Sequence, residues 1–271
     1  MRYEVIYYEK TTLALFLSTL VCNHLGLAAL FLIIPNTLTK IFGPISLSNP
    51  IFILAVWAPT ISGFTVTAWI RGRPGVIALL KRFSPGLASP IWYLLVILVV
   101  PLAGIAVNLI TGTAIGLTTI SLSSLMAFLF INLITGPLGE EFGWRGFALP
   151  RLLERFSPFV ASLVLGIIWA FWHLLAFIIS GAPQQGIQLP FFFLGALSMS
   201  FIITWVFLHV RQSIFFSFLF HYVVNFTLNE ILIPFWQMSL LLAAIAAIVL
   251  AVFGWDLGKA KIMRTRSIAS T

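Results

Sequence analysis

The chain has 271 residues, of which 61% are hydrophobic, 15% aromatic and 8% charged, with a formal net charge of +8 and a mean hydropathy of +1.10. A soluble domain carries roughly a quarter charged residues, so this chain cannot clothe its surface for water, which excludes a soluble enzyme and a disordered tail. The one cysteine, Cys22, cannot close an intramolecular disulfide, and no thiol pair points to redox work.

A helix crossing the hydrocarbon needs about 20 mainly apolar residues, because its backbone polar groups find no partner in lipid. In chain order, eight stretches meet this or nearly so: Thr12 to Ile34, Ile51 to Ile70, Ile91 to Ile110, Ile120 to Leu138, Phe159 to Ile179, Phe191 to Val210, Ile214 to Ile233 and Met238 to Phe253. Pro35, Pro50, Pro90, Pro158, Pro190 and Pro234 fall just outside these runs, where a missing N–H costs little and the chain can turn. The sequence thus predicts an all-α, polytopic membrane bundle of about eight transmembrane helices, organised as a single membrane domain over residues 1–271. The first stretch is longer than a signal-peptide core and lacks an Ala-x-Ala site, so it is expected to remain as a spanning helix.

Lysine and arginine in short loops stay on the cytoplasmic side. With eight spans and a cytoplasmic N-terminus, that side holds Arg2, Lys10, Arg71, Arg73, Lys81, Arg82, Arg145, Arg151, Arg155, Arg211, Lys259, Lys261, Arg264 and Arg266, leaving only Lys40 outside. The expectation is a multi-pass protein of the cell membrane with both termini in the cytoplasm. Its positive skin faces the anionic lipid of the inner leaflet, and no patterned basic motif suggests nucleic acid. No internal repeat is visible, so an inverted-repeat transporter has no support.

Three polar clusters interrupt the apolar second half. In the first, Glu140 and Glu141 are adjacent and Arg145 follows. Glu141 and Arg145 are four apart and share a helical face, so they can pair, whereas Glu140 points about 100° away and keeps a free carboxylate suited to a general base. A charged helix end at the interface is the competing structural explanation. The second cluster places Trp169 and His173 on one face of the fifth stretch, and the third places His221 and Asn225 four apart in the seventh. Either pair by itself fits an interhelical hydrogen bond. Together they weigh more, because the chain has only four histidines and seven acids, and two of each lie in these clusters. His24 and His209 lack such company and read as packing or interface residues. Asn132, two turns before Glu140, is placed along the same cavity.

The order Glu-Glu-x-x-x-Arg, aromatic-x-x-x-His and His-x-x-x-Asn resembles the CAAX protease and bacteriocin-processing family of intramembrane proteases, also called the Abi family. The run from Gly139 to Phe156, GEEFGWRGFALPRLLERF, is particularly similar to bacterial members. The resemblance covers a core of residues 125–229, with Trp169 where the family commonly has Phe. It implies an intramembrane endopeptidase that cuts a peptide bond near the cytoplasmic side of the membrane. Glu140 and His173 would activate a water, His221 and Asn225 would stabilise the oxyanion, and Glu141 with Arg145 would support them. The glutamate mechanism requires no cofactor. Zinc is left open with Glu140, His173 and His221 as candidate ligands, although there is no His-Glu-x-x-His helix. The implied partner is a peptide or membrane-protein substrate, prenylated or not, and the oligomeric state is left open. The alternatives are a non-catalytic immunity or scaffold protein of the same fold and, less favoured by the nearly uncharged first three spans, a transporter.

One geometric demand accompanies this reading. If the fourth helix ended near Leu138, Glu140 would lie at the inner surface while His173 stood ~20 Å up its own helix. The clusters are therefore expected to meet because the fourth helix stays in the bundle through Arg145 and the fifth begins several residues late, enclosing a water-filled cavity open to the cytoplasm.

Overall fold

The computed structural model describes residues 2–86, 88–113, 122–231 and 233–259, and every regular element among them is helical. The predicted start of the fourth stretch at Ile120 and the basic residues Lys261, Arg264 and Arg266 lie outside the described residues. In order the helices are α1 (Arg2–Ile33), α2 (Pro35–Phe42), α3 (Pro50–Val56), α4 (Ala58–Lys81), α5 (Pro90–Thr111), α6 (Leu122–Ile134) and α7 (Pro137–Glu141). A π-helical stretch, Phe142–Ala148, leads into α8 (Leu149–Leu153), followed by α9 (Pro158–Trp172), α10 (Leu174–Ile178), α11 (Leu189–His209), α12 (Ile214–Glu230) and α13 (Phe235–Phe253).

Proline begins many of these elements. Pro35, Pro50, Pro90, Pro137 and Pro158 each occupy the first helical position, where the absent N–H is one the helix would not have used. Asn49 caps α3 by accepting from the amides of Ile51 and Phe52, and its Nδ2 donates back to the carbonyls of Phe42, Gly43 and Pro44.

Among the described residues, six helices are long and apolar enough to cross a membrane: Thr12–Ile33, Pro90–Thr111, Leu125–Leu153, Pro158–Ile178, Leu189–His209 and Phe235–Phe253. The pair α3 and α4, bent by 55° at Trp57, is long and apolar enough for a seventh when taken together. The seventh predicted stretch forms α12, whose 17 residues reach only ~25 Å against a hydrocarbon core of about 30 Å. The protein is an all-α, multi-pass membrane bundle.

Irregular backbone at membrane depth is tolerated only where protein or a cavity satisfies it. The break between α6 and α7 follows this rule: Trp57 Nε1 donates to the Ile134 carbonyl at 2.9 Å, and Thr60 Oγ1 to that of Leu138 at 3.3 Å. The π-helical stretch presses against α4 so closely that a Cβ on Gly143 would lie 2.3 Å from the carbonyl carbon and oxygen of Pro59. Only glycine permits that approach.

The turns gather at two ends of the bundle. At one, Arg82 Nη1 donates to the Gly146 carbonyl at 2.6 Å, the Ile214 amide donates to the Arg82 carbonyl at 2.9 Å, and Ser213 Oγ donates to the Ser84 carbonyl at 2.6 Å. The Phe159 amide meets the Trp255 carbonyl at 3.1 Å, and Lys259 Nζ that of Leu153 at 3.4 Å, on the same end. A plug of fully buried side chains, including Phe16, Trp144, Phe147, Leu149 and Phe207, seals this end. At the other end, Gly181 lies against the Ile45 carbonyl and Asn108 Nδ2 donates to that of Ile231 at 3.1 Å.

Candidate active site

The fourth span does not stop near Leu138. It runs to Leu153 as one apolar path of 29 residues, through the α6–α7 break and the π-helical stretch, which carries Glu140 to mid-bundle. The expectation of a late fifth helix is corrected: α9 begins at Pro158, capped by Ser157 Oγ accepting from the Val160 amide, close to where hydropathy starts it. Depth is matched from the fourth helix instead. Glu140 lies ~20 Å above Leu153 and His173 ~22 Å above Pro158 at 1.5 Å per residue. α12 starts inside the protein, with Ile214 fully buried beside Gly146, so seven residues later His221 reaches the level of the acids.

The adjacent carboxylates have different surroundings. Glu141 is fully buried, and its Oε1 accepts from Arg145 Nη1 and from His221 Nδ1, each at 2.9 Å. Glu140 faces a cavity of about 430 Å³, and its Oε2 accepts from Trp169 Nε1 at 2.6 Å. His173, His221, Asn225 and Asn132 line the same cavity, while Arg145 and Glu141 stand behind it. The Arg145 guanidinium stacks over the Trp169 ring at 4.6 Å, a cation–π contact in a site without water-exposed screening.

The hydrogen bonds also fix which ring nitrogens are available. His173 Nδ1 lies 2.8 Å from the Trp169 carbonyl. A carbonyl only accepts, so Nδ1 carries the proton and Nε2 of the neutral ring is an acceptor. His221 Nδ1 likewise donates to the Glu141 carboxylate, leaving Nε2. Trp169 sits among all of these groups, its ring centroid 5.8 Å from that of His173 and 5.3 Å from that of His221.

Sequence reasoning placed Trp169 on the face of His173 without giving it a role of its own and missed its bond to Glu140. The available signal was that a buried indole N–H requires an acceptor and that Trp169 shares a face with His173. His24, read as packing, also lines the cavity, 4.9 Å from the Trp172 ring. His209 packs among Trp92, Trp205 and Phe253 away from the site. Among the described residues no three of His, Cys, Asp and Glu gather as a metal-ligand set.

A further correction concerns the cavity's mouth. Sequence reading put the mouth and both termini on one side. The walls run instead from Glu140, His173 and His221 toward Leu47, Pro183, Gln184 and Asn229, at the end opposite the Arg82, Leu153 and Lys259 turns.

A multi-pass helical membrane protein with a buried glutamate and two histidines around an internal cavity defines a class. Within that class, residues 121–227 match the family described as Type II CAAX prenyl endopeptidase Rce1-like. The chain is also 38% identical over 115 residues to the protein named CAAX prenyl protease 2 of Methanococcus maripaludis, an alignment covering 40% of this chain and 41% of that relative. The chain thus spans about two fifths of the length of the curated relative it matches. Over this segment, which contains all three motifs, the chain is similar to the CAAX protease family.

Proposed function

We propose that the protein is an intramembrane endopeptidase that hydrolyses a peptide bond inside the bundle with a water activated by Glu140 and His173. The observation that carries this reading is the division of labour between the acids: Glu140 faces the cavity, and Glu141 is held by Arg145 and His221 behind it. Hydrolysis needs a base in reach of water and preorganised donors where negative charge develops.

In the proposed step, water is held between Glu140 and the free Nε2 of His173. Glu140 takes a proton as the water oxygen bonds to the scissile carbonyl carbon. Asn225 Nδ2 donates to the oxyanion, and His221, when it carries a second proton, adds its Nε2–H while Glu141 keeps Nδ1 in place. Collapse of the tetrahedral species breaks the C–N bond, and Glu140 returns its proton to the leaving amine. No step passes through a metal. Apolar cavity residues such as Phe128, Phe192 and Val224 suit an apolar peptide segment.

The test is turnover of a quenched-fluorescent apolar peptide library by detergent-purified protein, beside a comparison of membrane peptides from cells carrying the unaltered chain or Glu140→Gln. General-base loss predicts a fall of about 10²- to 10⁴-fold with the fold intact. Peptidase activity unaffected by Glu140→Gln would overturn the assignment.

A further inference from the structure

Two asparagines on the cavity wall take no part in the step proposed above. Asn132 comes from α6 and Asn229 from the last turn of α12, and both line the cavity with Asn225. Each makes one hydrogen bond that settles how its amide is turned. Asn132 Nδ2 donates to the Tyr222 carbonyl at 3.3 Å, and Asn229 Nδ2 to the Asn225 carbonyl at 2.7 Å. A carbonyl only accepts, so the nitrogen of each amide lies on that side and Oδ1 is left to accept from a ligand.

Gly136, in the break between α6 and α7, brings one of these oxygens beside a donor. A Cβ on Gly136 would lie 3.0 Å from Asn225 Nδ2 and 4.0 Å from Asn132 Oδ1. A donor and an acceptor therefore converge over one bare stretch of backbone, and these are the two partners that a peptide group requires.

The spacing along α12 extends the same pattern. His221, Asn225 and Asn229 are four apart and all line the cavity, one every ~6 Å of helix. An extended chain presents the N–H and C=O of alternate residues along one edge, with a repeat of about 6.6 Å. The two repeats stay in step over three rungs. α11 and α13 contribute mainly apolar side chains to the rest of the wall, Phe192, Met199, Met238 and Leu242 among them. A peptide group buried without a partner costs more than a made hydrogen bond contributes, so a bound main chain is drawn to the polar strip.

We propose that the protein holds its peptide extended along α12 and recognises it by its main chain, with Asn132 Oδ1 and Asn229 Oδ1 accepting from peptide N–H groups. With Asn225 at the scissile carbonyl, Asn229 meets the main chain two residues further along. Selection by main chain makes binding tolerant of side-chain sequence, and the apolar wall restricts it to apolar segments. Only the position of the scissile bond rests on the peptidase reading above.

The experiment uses full-length, detergent-purified Glu140→Gln, so that the probe is not consumed. The probes are a dansyl-labelled octapeptide of alternating alanine and leucine and its polyester analogue, in which every amide N–H is replaced by oxygen. Affinity for each is read by fluorescence anisotropy, and the ratio of the two is compared with that in the same protein carrying Asn229→Leu or Asn132→Leu. Partition into the micelle is common to all variants and cancels in the comparison. The preference for the peptide is expected to fall by roughly three- to tenfold in each variant, the worth of one neutral hydrogen bond. In the parent chain, Asn229→Leu should raise KM more than it lowers kcat. A ratio unchanged by Asn229→Leu overturns the proposal, as does failure of the octapeptide to bind. Asn229 is exposed at the end of its helix, so its replacement leaves the fold intact even if Asn132→Leu does not fold. Loss of the preference in Asn229→Leu without any cleavage by the parent chain would retain the docking strip and remove the peptidase. Cleavage by the parent with an unchanged ratio would do the opposite.

Discussion

The indole N–H of Trp169 donates to Glu140 Oε2 at 2.6 Å, and the carbonyl of the same residue accepts from His173 Nδ1 at 2.8 Å. One residue of α9 thus orients the two groups assigned to water activation, and its ring also lies against Arg145 and His221. Trp169→Phe keeps an aromatic ring and the backbone carbonyl but removes the N–H together with the pyrrole part of the indole. A hydrogen bond to a charged partner contributes about 1.5–3 kcal/mol, so a loss in kcat of roughly 10- to 100-fold is expected if the bond is realised in the transition state. Melting in detergent should fall as well, because the smaller ring leaves part of a buried site empty. Unchanged kcat would show that Glu140 is oriented by other means.

The two acids are expected to fail differently. Glu140→Gln should abolish nearly all turnover while leaving thermal stability close to that of the parent, because its carboxylate faces the cavity. Glu141→Gln strands Arg145, which is fully buried. Removing one partner of a buried pair typically costs ~3–5 kcal/mol, so this variant should melt at a markedly lower temperature, and Arg145→Ala should resemble it. Equal destabilisation by the two glutamate variants in thermal melts would contradict the assignment.

Gly143→Ala tests the close approach that brings the fourth span to mid-bundle. The new methyl would meet Pro59 backbone at 2.3 Å, and backbone on both sides cannot yield as a side chain would. Overpacking costs typically about 1–3 kcal/mol and more where rigid elements must separate. A Cβ on Gly26 meets nothing within 4 Å, so Gly26→Ala is the control and should melt at or above the parent temperature. Matching melts for the two variants would mean that α4 and the π-helical stretch separate easily.

Metal removal is a fourth measurement. With no three ligand-type residues gathered among those described, dialysis against EDTA or 1,10-phenanthroline should leave turnover unchanged. Loss of activity on chelation, restored by added Zn²⁺, would replace the glutamate mechanism with a metal one.

Composition was enough for the membrane, because a chain with 8% charged residues has no other solvent to face. Runs of apolar residues bounded by proline gave the spans, since helix length is matched to bilayer thickness and proline position to helix starts. Spacing of four gave the Glu141–Arg145 pair, a contact within one short segment that helical periodicity alone determines. The Glu141–His221 bond joins residues 80 apart, and the Trp169–Glu140 bond residues 29 apart, so neither follows from any local period. Both depend on the depth at which each helix begins, which is set by Pro137 interrupting the fourth span, by Gly143 admitting Pro59 and by Ile214 starting α12 beneath Gly146. The direction of the cavity's mouth belongs with these. Lysine and arginine orient a bundle from its loops, but which end of the bundle stays open is decided by side-chain packing between helices distant in sequence.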